Sequence, residues 1–297
     1  MKILITGGTG LIGQRFIQAN PSHEYTVLTR SAEKAKTKLL SSIKLLECLT
    51  QLDNLDEFDA VINLAGEPIV DKRWTEQQKR IICDSRWDIT QQLVELFRVS
   101  LTPPEIFLSG SAIGVYSDHG DLLITERDVA TKNDFASSVC RQWEEIAKQA
   151  EPYTRVVYLR TGIVLDPEGG ALAKMLMPFK MYLGGRMGSG RQYMSWIHIQ
   201  DMIGAMAFLL SHSEVKGAVN MVAPEPVTNQ QFTRELATAL KRFAIFPVPK
   251  TMLKLLLGES STLLLGSQRV EPGALLEASY EFKFPEIGAA LTDLLRH

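Results

Sequence analysis

Residues 3–13 read Ile-Leu-Ile-Thr-Gly-Gly-Thr-Gly-Leu-Ile-Gly. A short apolar run leads into Gly7, Gly10 and Gly13. An amphipathic stretch follows through Leu11, Ile12, Phe16 and Ile17. Strand, glycine turn and helix in that order leave few folds open. Gly7 permits a tight turn out of the strand. Gly10 lets backbone approach a phosphate with no side chain in the way, and Gly13 lets the helix pack closely on the sheet. Amides at the start of the helix, around Thr9, Leu11 and Ile12, then face an anion. The spacing is G-x-x-G-x-x-G, and a glycine trio alone says little. Its place between an Ile/Leu strand and a helix makes a dinucleotide site the physical reading. The plainer alternative is a Gly-rich turn without a ligand.

Farther along, short apolar runs at 25–29, 43–46, 60–64, 105–109 and 155–159 alternate with helical periodicity at 75–99 and 135–150. That alternation predicts an α/β fold, a Rossmann doubly wound parallel sheet. Ligands in such sheets sit at the carboxyl ends of the strands. After about residue 165 the pattern loosens. Helices are expected at 201–210 and 229–243, with a strand at 219–222. Residues 1–165 are read as the cofactor-binding core. Residues 166–297 are read as a smaller substrate-side lobe that returns to the sheet.

With 297 residues, 45% hydrophobic, and a net charge of −2, the chain has material for a core. It has no charge footprint for nucleic acid or a membrane surface. No apolar run reaches the roughly 20 residues of a membrane span. Cys48, Cys83 and Cys140 match no metal-ligand spacing, so no metal is expected, and an odd count points to reduced thiols in a cytoplasmic protein. No face for self-association stands out, so the oligomeric state is open.

The second predicted strand ends in Thr29-Arg30-Ser31, where NAD enzymes usually carry an acid for the ribose 2′-hydroxyl. A guanidinium here pairs with a 2′-phosphate, and Lys34 and Lys36 add charge. NADP(H) is therefore expected over NAD, unless Arg30 is simply a solvated loop residue. Leu64-Ala65-Gly66 ends the next strand, and its small residues let the adenosine ribose lie against backbone, or form an ordinary turn. Arg86 and Trp87 on the long helix are candidates to face the cleft.

The stretch Thr6–Gly13, the Leu64-Ala65-Gly66 turn and Ser109-Gly110-Ser111-Ala112 with Tyr116 together resemble an extended short-chain dehydrogenase/reductase. These are the nucleoside-diphosphate-sugar epimerases and dehydratases. Ala65-Gly66-Glu67-Pro68-Ile69 with Arg73-Trp74, Ser85-Arg86-Trp87, Gly188-Ser189-Gly190-Arg191-Gln192 and Trp196-Ile197-His198-Ile199 narrow the resemblance. They point to an atypical branch, the bacterial epimerase family proteins of SulA type. That branch carries a C-terminal segment of unknown function, matched here by about residues 247–295.

The resemblance implies a catalytic Ser, a Tyr and a Lys four residues apart, hydride exchange with nicotinamide, and a small-molecule substrate such as a sugar nucleotide. Ser111 takes the serine's place, with Ser109 beside it along the cofactor. The Tyr-x-x-x-Lys pair is missing from 133–144. Phe135 stands nearest the tyrosine, and Val139 or Cys140 occupies the lysine site. Tyr116 is the substitute acid on offer, or else a packing tyrosine beneath the nicotinamide. Cys140 serves only if a cation lowers its pKa. By the same resemblance, backbone at Arg160-Thr161-Gly162 passes the nicotinamide, while Arg160 is alternatively an ion-pair residue. Arg191, Gln192, Trp196 and His198 are the substrate-side candidates, with His198 equally a satisfied core residue. Two functions follow: an NADP(H)-dependent oxidoreductase or epimerase with an altered acid, or a non-catalytic NADPH-binding redox sensor or partner-binding module.

Overall fold

The computed structural model describes residues 1–130 and 132–296. Its strands are β1 (Lys2–Thr6), β2 (Glu24–Leu28), β3 (Lys44–Leu46), β4 (Ala60–Asn63), β5 (Ile106–Ala112), β6 (Leu123–Ile124), β7 (Arg155–Thr161), β8 (Ile163–Asp166), β9 (Tyr193–Met194), β10 (Trp196–His198), β11 (Gly217–Met221), β12 (Val227–Thr228) and β13 (Arg269–Val270). Its helices are α1 (Leu11–Ala19), α2 (Ala32–Lys36), α3 (Glu76–Val99), α4 (Phe135–Lys148), α5 (Gly170–Lys180), α6 (Ile199–Ser211), α7 (Asn229–Ala239), α8 (Lys250–Leu257), α9 (Thr262–Leu265), α10 (Gly273–Glu277) and α11 (Ile287–Leu294).

Seven strands form one sheet in the order β11-β7-β5-β4-β1-β2-β3, every neighbouring pair parallel. The strand order reverses between β1 and β4, the switch point at which a Rossmann sheet opens a crevice. Period-2 alternation feeds two cores. Ile3, Ile5, Ile62, Leu108 and Leu159 face one, with α1, α5, α6, α7 and α11 above them. Leu4, Val61, Phe107 and Val156 face the other, against α3 and α4. Strands covered on both faces are apolar throughout, which is why they read as continuous runs. Each fully buried aliphatic side chain here contributes roughly 1.5–3 kcal/mol.

Local chemistry sets the ends of the elements. Thr75, Asp134 and Thr228 accept backbone N–H groups at the starts of α3, α4 and α7. The helix α1 begins at Gly10 with no side-chain cap and no acid in its first turn. The predicted helix 229–243 stops at Ala239, and Lys241 adopts φ +54° just beyond. Strand β5 runs three residues past the expected 109, so Ser111 lies within it. The region after 165 rejoins the sheet through β11, and β13 pairs with β6. No helix among the described residues is long and apolar enough to cross a membrane.

Candidate functional site

The glycine turn follows β1 at the switch point. Gly7 has φ +69°, and a Cβ there would fall 2.5 Å from the Leu64 carbonyl oxygen. A Cβ on Gly13 would fall 2.6 Å from the Gly7 oxygen. Fold packing therefore demands both glycines. Gly10 differs: it is exposed and extended (φ −81°), and its Cβ would meet only the Gly7 oxygen, at 3.1 Å. The open side of the turn faces outward at this residue. The Gly10 amide donates to Gly7 (2.9 Å), and the first helical bond runs from Gln14 to Gly10 (2.9 Å). Amides of Leu11, Ile12 and Gly13 thus precede the helix's own acceptors and point their dipoles at the opening. The Gln14 side chain donates to the Thr9 carbonyl (2.6 Å) and braces the turn. A dinucleotide pyrophosphate fits these residues: open backbone, free helix start, no opposing acid.

Behind the turn a buried polar chain locks the strand ends. Thr6 Oγ1 donates to Asn63 Oδ1 (2.6 Å), and Asn63 Nδ2 to Thr90 Oγ1 (2.8 Å). Thr90 also accepts from Trp143 Nε1 (2.8 Å), joining α3 to α4. The Ala65 amide donates to Thr6 Oγ1 (3.1 Å), which holds the Leu64–Ala65–Gly66 turn beside the glycines.

At the end of β2, Thr29 and Ser31 shape the loop. Thr29 Oγ1 donates to the Ser31 carbonyl (3.2 Å), and Ser31 Oγ caps α2 by accepting from the Lys34 amide (3.5 Å). Arg30 is exposed. Across the crevice the Glu67 carboxylate is held below its usual range, chiefly by Lys72 (Nζ 3.0 Å away), with Arg30 adding to the field. Two cations thus share one acid at this edge.

On the other side of the switch point, Ser111 Oγ donates to Glu144 Oε1 (2.6 Å). Arg160 grips the same carboxylate with two bonds (2.9 and 2.8 Å) and donates to Tyr116 Oη (2.8 Å), which donates to Asn220 Oδ1 (2.7 Å). Glu144 comes from α4, on the face that carries Ala136 and Cys140 at helical spacing. The four-residue periodicity of that face was the available signal for Glu144, which sequence reading missed.

Several expectations are corrected by this placement. Tyr116 is fully buried, and burial pushes its phenol up to about 12, so it is a locked packing residue without access to a substrate. The Cys140 thiol is also raised to about 12 by burial, and the nearby cations do not offset that. Phe135 packs its ring on Trp74 (4.8 Å between centres). Ala136 and Cys140 of α4 face the turn after β5, 3.6 and 3.7 Å from a Cβ on Gly114. Ser109 is fully buried inside β5, short of the cleft. Arg160 is an ion-pair residue, and Gly162 is glycine because a Cβ would strike Val222 (2.6 Å) and the Ser195 oxygen (2.7 Å).

The substrate-side candidates do not converge. Arg191 is exposed on its loop. Gln192 is buried and clips Met187 to Leu264 through their carbonyls (3.0 and 3.2 Å). Trp196 is fully buried and donates to the Glu225 carbonyl (3.1 Å). His198 caps α6 by accepting from the Gln200 amide (3.0 Å) and stacks on Phe284 (3.9 Å). Burial lowers its pKa and favours the neutral ring. It is a core capping residue. No group of His, Cys, Asp and Glu among the described residues is arranged to hold a metal ion.

Comparison with known proteins agrees with this geometry. Residues 3–222 match the model of the NAD dependent epimerase/dehydratase family, and residues 248–294 match a domain of unknown function, DUF1731. An epimerase family protein of Staphylococcus aureus (strain MW2) is 37% identical over 299 residues, covering 99% of both chains. The crystal structure of human epimerase family protein SDR39U1 with NADPH is 33% identical, with a TM-score of 0.91 over 99% of both chains. A nucleoside-diphosphate sugar epimerase from Corynebacterium glutamicum is 30% identical, with a TM-score of 0.79 over 99% of this chain and 58% of that one. A UDP-glucuronic acid 4-epimerase from Bacillus cereus shares the fold at 18% identity and a TM-score of 0.77. The glycine turn, the seven-strand parallel sheet and these full-length likenesses together place the chain in the NAD-dependent epimerase/dehydratase family.

Proposed function

We propose that this chain is an NADP(H)-binding oxidoreductase or epimerase-like enzyme acting on a small molecule. The outward-open turn at Gly10 carries the reading, because a side chain there would meet the fold only at the Gly7 oxygen (3.1 Å) while standing in the path of an approaching phosphate. When bound, the nicotinamide supplies hydride transfer. The amides of Leu11, Ile12 and Gly13 hold the pyrophosphate, and the backbone at Leu64–Gly66 supports the adenosine ribose. Arg30 serves the 2′-phosphate, with Lys72 adding positive field. NADPH in the human relative supports the phosphorylated form. Ser111 stands on the nicotinamide side with its proton given to Glu144, so its free lone pairs accept from a substrate donor. The sugar-nucleotide class is supported by the names of relatives such as the Corynebacterium protein.

One observation favours a second reading, a protein that holds NADPH without turnover. Tyr116 and Cys140, the candidate acids near the end of β5, both stay protonated at neutral pH. Calorimetry with NADPH and NADH tests the common part. Arg30→Ala is expected to weaken NADPH about tenfold or more and NADH little, as loss of a charge-assisted contact to phosphate requires. Absence of affinity for either nucleotide sinks both readings. Loss of nicotinamide absorbance against a panel of UDP-sugars and simple carbonyls separates them. Turnover that Ser111→Ala abolishes while sparing NADPH affinity supports the enzyme; a wild-type protein silent across the panel supports the binding module.

A further inference from the structure

Arg86 projects from α3 toward the loop after β4. Its Nη1 donates to the Ile82 carbonyl (2.9 Å) and reaches Ser85 Oγ (3.5 Å), and its Nη2 donates to the Glu67 carbonyl (3.0 Å). The guanidinium carbon lies 2.8 Å from where a Gly66 Cβ would stand and 5.3 Å from the centre of the Trp143 ring. The groups within electrostatic reach are Cys140, Cys83 and, more weakly, Glu67. Both thiols are kept neutral by burial, and Glu67 is engaged by Lys72. No carboxylate among the described residues forms an ion pair with Arg86. Burial is strong enough to lower even this group's pKa.

A partly buried cation satisfied only by neutral oxygens is a costly arrangement for a fold to keep. A guanidinium has five N–H donors, and Nε–H is not engaged by any described residue. The position of those spare donors is informative. Leu64, at the start of the same loop, supports Gly7 of the phosphate turn, and Gly66 is exposed two residues later. Trp143, beneath the guanidinium, packs against Gly110 on the strand that bears Ser111. Arg86 therefore stands on the far side of the switch point from Arg30, toward Ser111. From that side α4 presents Cys140 and Trp143, and neither carries charge.

We propose that Arg86 binds the ribose–phosphate on the nicotinamide side of the dinucleotide, a role that rests on the NADP(H) reading of the cleft. The spare guanidinium donors meet hydroxyl or phosphate oxygens there, and those oxygens complete the satisfaction of the cation. With no Cβ, Gly66 leaves the guanidinium room beside the loop backbone.

The test uses two probes by calorimetry: NADPH, and adenosine 2′,5′-bisphosphate, which lacks the nicotinamide and its ribose. For Arg86→Met, NADPH affinity is expected to fall about tenfold or more while the bisphosphate changes less than about twofold, the size of a lost hydrogen bond to a charged group. Arg86→Lys is expected to recover part of the loss. Equal weakening of both probes, or unchanged NADPH affinity, overturns the proposal. If Arg86→Met does not fold, the Arg86 Nε–H resonance of the unaltered protein decides. It is expected to shift on adding NADPH and not on adding the bisphosphate, and an unmoved resonance under saturating NADPH overturns the proposal. A wild-type protein that binds neither probe fails the NADP(H) reading itself. Wild-type binding of both, with no Arg86 effect, fails the Arg86 assignment alone.

Discussion

Three glycines at equal spacing serve two different masters. Gly7 and Gly13 answer to the fold, because a Cβ at either would press into backbone at 2.5–2.6 Å. Gly10 answers to what lies outside. Gly7→Ala and Gly13→Ala are expected to cost more than about 1 kcal/mol of stability each, Gly7 because alanine is also strained at positive φ. Gly10→Val is expected to cost less in urea denaturation than either, yet to remove NADPH binding by calorimetry. A Gly10→Val protein that binds NADPH normally would show that the turn holds no phosphate. The same residue scale explains the failures of sequence reading. Tyr116, Trp196 and His198 belong to residue types that do chemistry, and all are fully buried with their polar atoms turned to protein partners or neighbours.

At the scale of elements, the C-terminal segment is anchored to the body of the fold at two places, the start of α3 and the helix α6. Arg73 donates to the carbonyls of Leu255 and Leu256 at the end of α8, and Lys79 pairs with Glu259 (2.7 Å). Leu263 on α9 packs on the cluster of Trp74, Ile82, Cys83, Ala136 and Val139 between α3 and α4. Farther on, buried Asp201 of α6 accepts the amides of Lys283 and Phe284 (2.8 and 2.9 Å). Asp201→Ala leaves those two donors without their charged acceptor, at a cost of about 1.5–3 kcal/mol. Faster amide hydrogen exchange across residues 283–295 is the expected signature. Exchange that stays at the wild-type rate would mean that this carboxylate does not anchor the segment.

For the molecule as a whole, buried acids with raised pKa values set an alkaline limit. The Cys140 thiol moves from 9.0 to about 12, and the Tyr25 and Tyr116 phenols from 10.0 to about 12, each mainly through burial. In the unfolded chain these groups ionise near their ordinary values, while in the folded chain they keep their protons. The folded state then binds more protons, so stability falls as pH rises. It is intact below about pH 9 and declines between about pH 9 and 12. Urea midpoints measured across that window should drop steadily. A flat profile to pH 11 would contradict the burial of these three groups.

The residue pattern by itself determined the parallel sheet and the glycine turn between β1 and α1, because both rest on local rules. Alternation at period 2, stripes at period 3.6 and glycine at a strand-to-helix junction act within a few residues. The end of β2, with Arg30 set between Thr29 and Ser31, was readable for the same reason. Only the tertiary structure decided what the polar side chains do. It joined Ser111, Glu144, Arg160 and Tyr116 from β5, α4, β7 and the turn after β5 into one network, and it left Arg86 without a carboxylate. Those outcomes depend on partners 16 to 104 positions apart in the chain. Burial and hydrogen bonding across such separations have no signature in sequence spacing.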